Sequence, residues 1–406
     1  MKTQEKKKLW LHPRHGVITK LVKLVLAPYC RWRYNITVEP FSNPDNRPYL
    51  ILYNHQTPFD QFFVGMAFPG TVYYMATEDI FSLGWISSVL RWLVNPIPIR
   101  KQTTDIQAVM NCMRIAREGG TIAMAPEGNR TYSGRTEYMN PAISGLIKKL
   151  KLPVALFRIE GGYGMEPRWS DVLRRGTMKA YVSQVISPEE IEDMTKEQIY
   201  DRVVAGLDVR EDCLSGTFRH RKTAEYLERA IYICPYCGLS EFHSEGSLIT
   251  CKCCGRQVRY TPTKELEGVG FDFPFRYVYD WYTYQKDYVN SIDILQNTSE
   301  PLYRDEARLS EVLLYQKKNL LRKSAVFRLY GDRITIDEGA AQELVLPFCE
   351  LTAATCLGRN KLNLYLKDTV YQVKGGKQFN ALKYVNLYFR SRNLSKGDPD
   401  NKFLGL

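Results

Sequence analysis

In the stretch Asn54-His55-Gln56-Thr57-Pro58-Phe59-Asp60, an aspartate follows a histidine five positions later. An apolar run at residues 49–53 precedes it and predicts a buried strand. The layout puts an imidazole at a strand end and a carboxylate about one helical turn further on. A carboxylate there fixes the imidazole's tautomer and stabilises its charged form, which makes a general base. Seventy residues later, again after an apolar run, comes Ala125-Pro126-Glu127-Gly128-Asn129-Arg130-Thr131. Gly128 lets the chain bend. Arg130 supplies a planar cation whose fork can bond two phosphate oxygens at once. Glu127 is positioned to hold that arginine or the hydroxyl of an acceptor.

These groups need a scaffold that brings strand ends together. From residue 34 to 187 short apolar runs alternate with helical patterns. Strands are predicted over 49–53, 72–76, 120–125, 154–158 and 178–185, and helices over 107–117 and 143–150. That alternation implies an α/β domain with a mostly parallel sheet, whose sites gather at the carboxyl ends of the strands. Both motifs fall there.

With these residues in place, residues 34–187 resemble the glycerolipid acyltransferase family, which includes the 1-acylglycerol-3-phosphate acyltransferases. Four blocks carry the likeness, in the family's order: Asn54 to Asp60; Asn95-Pro96-Ile97-Pro98-Ile99-Arg100, in the region after Gly84; Pro126 to Gly134; and Leu152-Pro153-Val154-Ala155. Thr57 stands where serine is common, Asn129 where threonine or serine is usual, and Ala125 where phenylalanine is common. None of these changes removes a group that carries chemistry, but they leave the acceptor's identity open. The resemblance implies acyl transfer from a thioester, acyl-CoA or acyl carrier protein, to a lysophospholipid hydroxyl. His55 is the base and Asp60 its orienter. Arg100, Lys101, Glu127, Gly128 and Arg130 bind the acceptor. The expected acceptor is 1-acylglycerol 3-phosphate, giving phosphatidic acid. Another glycerol-based or lysolipid acceptor is the alternative within this chemistry, and a non-catalytic lipid-binding adaptor is the rival outside it.

A second constellation follows. Cys234-Pro235-Tyr236-Cys237-Gly238 and Cys251-Lys252-Cys253-Cys254-Gly255 form two C-x2-C pairs separated by thirteen residues. Two such knuckles bring four thiolates to one tetrahedral zinc, in a closed and therefore structural site. Cys253 is the spare thiol, and His243 in the intervening loop is the local competitor. Few aromatics and no dense basic stripe accompany this ribbon, which argues against nucleic acid.

The rest of the chain divides as follows. Residues 1–33 form a basic amphipathic segment and 188–230 a helical linker that begins at Ser187-Pro188-Glu189-Glu190. Residues 231–260 are the zinc ribbon, and 261–320 an aromatic-rich connector whose first part alternates like a strand. Residues 325–393 resemble a pleckstrin-homology or GRAM-like α+β domain: strands at 326–330, 333–336, 343–347, 362–366 and 370–373, then a helix from about 378 to 390. Residues 394–406 are a polar tail expected to fray.

The chain has 406 residues, enough for two or three domains, and a net charge of +12. Nine of the cations lie in residues 1–33 against Glu5 alone, which accounts for most of that excess. Basic residues interleaved with Val17, Ile18, Leu21, Leu24, Val25 and Leu26 at helical spacing favour an anionic membrane surface. No run is long and apolar enough to span a membrane, and no signal peptide is visible. Ten cysteines in a chain of this length, four at metal spacing, suit a reducing compartment. The expectation is a cytoplasmic protein peripheral to the inner face of the cell membrane.

Overall fold

The computed structural model describes residues 9–77, 81, 85–99, 105–296, 298–313 and 318–405. The chain divides into two compact units. The first comprises Met1–Arg130, Thr136–Gly162 and Thr177–Val209. The second comprises Thr131–Arg135, Tyr163–Gly176 and Arg210–Leu406.

The first unit is α/β. In chain order it contains α1 (Pro13–Tyr34), β1 (Ile36–Val38), β2 (Leu50–Tyr53), α2 (Asp60–Ala67), β3 (Val72–Thr77), α3 (Trp85–Val94), β4 (Ile97–Ile99), α4 (Ile106–Arg117), β5 (Thr121–Met124), α5 (Ala142–Leu150) and β6 (Val154–Glu160). The short α6 (Gly162–Met165), β7 (Met178–Ile186), α7 (Pro188–Asp193) and α8 (Lys196–Leu207) follow. The strand order is β1-β7-β6-β2-β5-β3-β4. Every neighbouring pair is parallel except β6 with β7, so the mostly parallel sheet expected from the sequence is present with one antiparallel pair. Central β2 is buried along its whole length, as a parallel strand covered on both faces must be. The apolar side chains of α4, α5 and α8 pack with it in one core.

The second unit is mainly antiparallel. A two-stranded hairpin, β8 (Ile233–Cys234) and β9 (Gly238–Leu239), precedes a four-stranded sheet of β10 (Phe242–Glu245), β11 (Leu248–Cys251), β12 (Gln257–Tyr260) and β13 (Leu266–Gly268). After α9 (Val278–Ser291) come β14 (Tyr303–Glu311), β15 (Asn319–Leu329), β16 (Arg333–Ile336), β17 (Leu344–Pro347), β18 (Ala353–Leu357), β19 (Lys361–Tyr365), β20 (Val370–Gly375) and α10 (Ala381–Ser395). These seven strands form one sheet in the order β17-β16-β15-β14-β20-β19-β18, with α10 against β18 and β19.

Several elements differ from the sequence expectation. Helix in 188–230 stops at Leu207, after two capping boxes built by Ser187 with Glu190 and Thr195 with Gln198. Beyond it, Arg210 to Arg229 is mostly irregular chain held by side chains; Asp212, for example, pairs with Arg135 at 2.6 Å. The first part of the aromatic connector carries only the short strand β13, with Phe271, Phe273 and Phe275 outside any strand, and the later aromatics Tyr279, Trp281, Tyr282, Tyr284 and Tyr288 lie on helix α9. Val278, Trp281, Tyr282, Gln285 and Val289 share its buried face, and the Asp280 side chain accepts the Tyr277 N–H at its start. The connector's last part is strand β14, paired with both β15 and β20. Strand β18 gave no signal because Ala353, Ala354, Thr355 and Cys356 are buried on both faces and show no alternation. The tail is not frayed. Asn386 and Asn393 on α10 donate to the Leu404 and Phe403 carbonyls, and Leu404 is buried.

Candidate functional site

Strands β2 and β5 are parallel neighbours in register, Leu50 with Ile122 and Leu52 with Met124. Their carboxyl ends therefore lie side by side, and the His55 and Glu127 loops leave from adjacent points of the sheet.

The first loop is tied to the sheet by Asn54. Its amide donates to the Ile159 carbonyl at 2.8 Å and accepts the Ile159 N–H at 2.7 Å, extending the β2–β6 pairing by a side chain. Asp60 opens α2, where a carboxylate suits the positive end of the helix dipole. It is fully buried and receives five hydrogen bonds. His55 Nδ1 lies 2.8 Å from Oδ2, and the Gln56 N–H donates to the same oxygen at 2.6 Å. The Thr57 N–H reaches both oxygens, at 2.9 and 3.0 Å, and the Thr57 hydroxyl donates to Oδ1 at 2.7 Å. This set of donors stabilises the carboxylate without solvent and orients the imidazole. The His55 side chain keeps 25% of its surface exposed, so it remains reachable while its partner does not. Asn54 and Thr57 were visible in the sequence as neighbours of the histidine, but only their hydrogen bonds reveal what they hold.

The second loop turns at Gly128, whose N–H donates to the Ala125 carbonyl at 3.0 Å and whose φ is +65°. A side chain there would be strained by about 1–2 kcal/mol. Glu127 is buried. It accepts the His55 N–H at 2.9 Å on Oε1 and the Glu137 N–H at 2.9 Å on Oε2. Both of these bonds come from backbone, so the carboxyl braces the His55 loop against the chain at Glu137. Burial pushes its pKa up to about 8, outweighing the two backbone N–H groups that work in the opposite direction. Arg130 sits half-buried at the loop's end. Arg100 and Lys101 lie outside the described residues. The Pro153 carbonyl of the fourth block accepts the Leu50 N–H at 3.0 Å, so that block supports β2.

One packing device carried no motif. A Cβ on Gly162 would stand 2.5 Å from the Gln56 Cβ, so only glycine fits beneath the His55 loop. The adjacent Gly161-Gly162 pair was its sequence signal.

In the second unit, Cys234, Cys237, Cys251 and Cys254 put their sulfurs within 4.8 Å of one another, with Cys234 and Cys254 3.9 Å apart. Zinc–sulfur bonds of about 2.3 Å in a tetrahedron need sulfurs about 3.8 Å apart, so the donor set fits a four-thiolate metal site. Both knuckle glycines adopt positive φ, +75° at Gly238 and +73° at Gly255. His243 is not among the cluster; its Nδ1 lies 2.9 Å from the Gln378 amide nitrogen.

Residues 35–155 match the protein-family model described as Acyltransferase. No curated protein matches the chain. Among solved structures, the chain is similar to the crystal structure of the 1-acyl-sn-glycerophosphate (LPA) acyltransferase PlsC from Thermotoga maritima. The identity is 18% and the TM-score 0.40, over 47% of this chain and 79% of that one. His55, Asp60, Glu127 and Arg130 all lie within the stretch that matches the Acyltransferase model.

Proposed function

We propose that this protein moves a fatty acyl group from an acyl-thioester to the hydroxyl of a lysophospholipid. Its preferred acceptor is 1-acylglycerol 3-phosphate and its product phosphatidic acid. The observation that carries this reading is the His55–Asp60 pair at 2.8 Å, with Asp60 buried and its oxygens taken up by local donors. Asp60 holds the proton on Nδ1, so Nε2 takes the acceptor's hydroxyl proton as the oxygen attacks the thioester carbonyl. The proton then passes to the departing thiolate of coenzyme A or acyl carrier protein. Arg130, with Arg100 and Lys101, binds the acceptor phosphate by charge and fork geometry.

The enzyme works at an anionic membrane surface, on the inner face of the cell membrane. Helix α1 exposes Val17 (61%), Leu24 (73%), Val25 (68%) and Trp32 (79%), and neighbouring α3 exposes Trp85 (76%) and Trp92 (57%). The basic residues of α1 lie among them, a combination suited to the headgroup layer. No described helix is long and apolar enough to cross a membrane. A structural zinc on Cys234, Cys237, Cys251 and Cys254 would fold the ribbon around itself. The seven-stranded sheet closed by α10 supports a pleckstrin-homology or GRAM-like reading of the C-terminal region.

The test is thiol release from acyl-thioesters by wild type and His55→Ala over phosphorylated and unphosphorylated lysolipids. Release that needs both His55 and a lysophosphatidic acceptor is expected. Undiminished release by folded His55→Ala would overturn the mechanism. No release with any donor or acceptor would favour the adaptor.

A further inference from the structure

Phe59 is the aromatic residue of the turn that pairs His55 with Asp60. Its N–H donates to the Thr57 hydroxyl at 3.1 Å, and its carbonyl accepts the Phe62 N–H at 2.8 Å as α2 begins. Its ring is gripped from α1. The Tyr34 ring lies 5.4 Å away and the Tyr29 ring 6.0 Å away, centre to centre, both separations of interacting aromatic pairs. Tyr34 is buried. Tyr29 is exposed, and its ring lies 6.1 Å from that of Trp32, which is exposed as well. A row of rings thus runs from the surface of α1 to the turn that carries His55 and Asp60. Two further features set this end of α1 apart. Pro28 lies inside the helix, just before Tyr29. Lacking an N–H, it leaves the Leu24 carbonyl without its helical partner, so residues 29–34 are the less securely held part of α1. Arg31 and Arg33 flank Trp32, and both are exposed. An indole between two cations suits the headgroup layer of an anionic membrane.

We propose that an anionic lipid surface activates this protein through Tyr29 and Phe59: seating Trp32 and Tyr29 in the headgroup layer fixes the grip on Phe59, and with it the turn that holds His55 against Asp60. This rests on the acyl-transfer and membrane readings above. Tyr29 and Phe59 are positioning residues that act through the His55 turn. Away from lipid, the end of α1 beyond Pro28 is free to loosen its grip, and the turn is then held only by its own hydrogen bonds. Lipid binds the gripped state better, because that state presents both rings on one helical face, and so shifts the population towards it. The change reaches the base and not the phosphate-binding arginines, so it raises kcat and leaves the acceptor KM nearly unchanged.

The experiment uses full-length protein with a short-chain acyl-CoA and a short-chain lysophosphatidic acid, both monomeric in solution, so that vesicles are not needed to present substrate. Thiol release and cosedimentation are measured without vesicles and with vesicles rich in phosphatidylglycerol. Hydrogen-exchange mass spectrometry follows the peptide containing Gln56 and Thr57, whose N–H groups donate to Asp60. In the wild type, vesicles should raise kcat at least about fivefold, the lower end of ordinary coupling between two sites, and slow exchange in that peptide. Tyr29→Ala should still cosediment, through Trp32 and the rest of α1, yet show neither effect. Tyr29→Phe keeps the ring and should show both. Pro28→Ala gives the helix back its missing bond, so it should be faster than wild type without vesicles and gain less from them. Equal stimulation of wild type and Tyr29→Ala overturns the proposal. So does a Pro28→Ala that responds as wild type, a result that decides even if Tyr29→Ala does not fold. Wild type that binds no vesicles overturns it together with the membrane reading. Wild type without thiol release under any condition overturns the acyl-transfer reading instead. Exchange then decides the coupling by itself: slowing in wild type but not in Tyr29→Ala supports it, and equal exchange in the two refutes it.

Discussion

Replacing Glu127 by glutamine separates two roles for that residue, acceptor binding and bracing of the His55 loop. Its two oxygens accept the backbone N–H groups of His55 and Glu137, each at 2.9 Å. Glutamine offers one oxygen and one NH2, so one backbone N–H would face another donor inside a buried site. The lost bond costs about 0.5–1.5 kcal/mol and the unsatisfied N–H about 1–3 kcal/mol, roughly 2–4 kcal/mol together. In a unit of this size each kcal/mol moves the midpoint by about 2–4 °C, so thermal unfolding should begin roughly 4–15 °C lower. The pH dependence gives a second readout. Folding raises the Glu127 pKa from its ordinary 4.5 to about 8. Its contribution to stability is therefore complete below about pH 4.5 and is lost as pH rises to about 8, because over that window the unfolded chain releases a proton that the folded one keeps. Glutamine does not titrate, so Glu127→Gln should lack this slope. The assays are calorimetry from pH 5 to 9 and steady-state thiol release. Bracing predicts lower stability, a flattened pH slope and a reduced kcat with little change in acceptor KM. An unchanged midpoint with a raised acceptor KM would refute the argument and return Glu127 to the substrate.

Three further outcomes follow from the same geometry. Thr57→Val removes the hydroxyl that donates to Asp60 at 2.7 Å; it should cost about 1.5–3 kcal/mol and reduce kcat, and wild-type stability and kcat together would show that Asp60 does not need it. Leu24→Glu with Val25→Glu on the exposed face of α1 should leave folding unchanged but sharply reduce cosedimentation with vesicles rich in phosphatidylglycerol; equal binding would remove α1 from the membrane contact. Zinc removal by a strong chelator should lower the unfolding temperature of the second unit by more than about 10 °C and be reversed by added zinc, whereas an unchanged transition would make the four-cysteine cluster irrelevant to stability.

Much of the site is local in sequence. Asp60 follows His55 by five residues, and the tight turn between them that leads into α2 brings the carboxylate back to the ring, so the pair was readable from sequence. The four cysteines were readable for a similar reason: each knuckle closes within a few residues at a glycine of positive φ. The short apolar runs at 49–53, 120–125 and 154–158 set out the central strands, since burial on both faces demands continuous apolar runs. Elements with mixed or small side chains were not readable. Strand β18 carries no periodicity, and the aromatic residues of α9 suit strand or helix equally until packing selects the face.

Tertiary structure alone decided what the polar groups of the motifs touch. The sequence offers Glu127 an arginine three residues away, yet the β2–β5 register presents it with two backbone N–H groups, and a buried carboxyl takes the donors that cannot otherwise be satisfied. The same holds for Gly162, whose missing side chain makes room for Gln56 a hundred residues earlier, and for the tail, which α10 captures with asparagine amides. Sequence by itself determined the chemistry available at each motif, because side-chain type and short-range spacing set it. Which partner each group takes depends on chain brought together from far apart, and that is a property of the folded sheet.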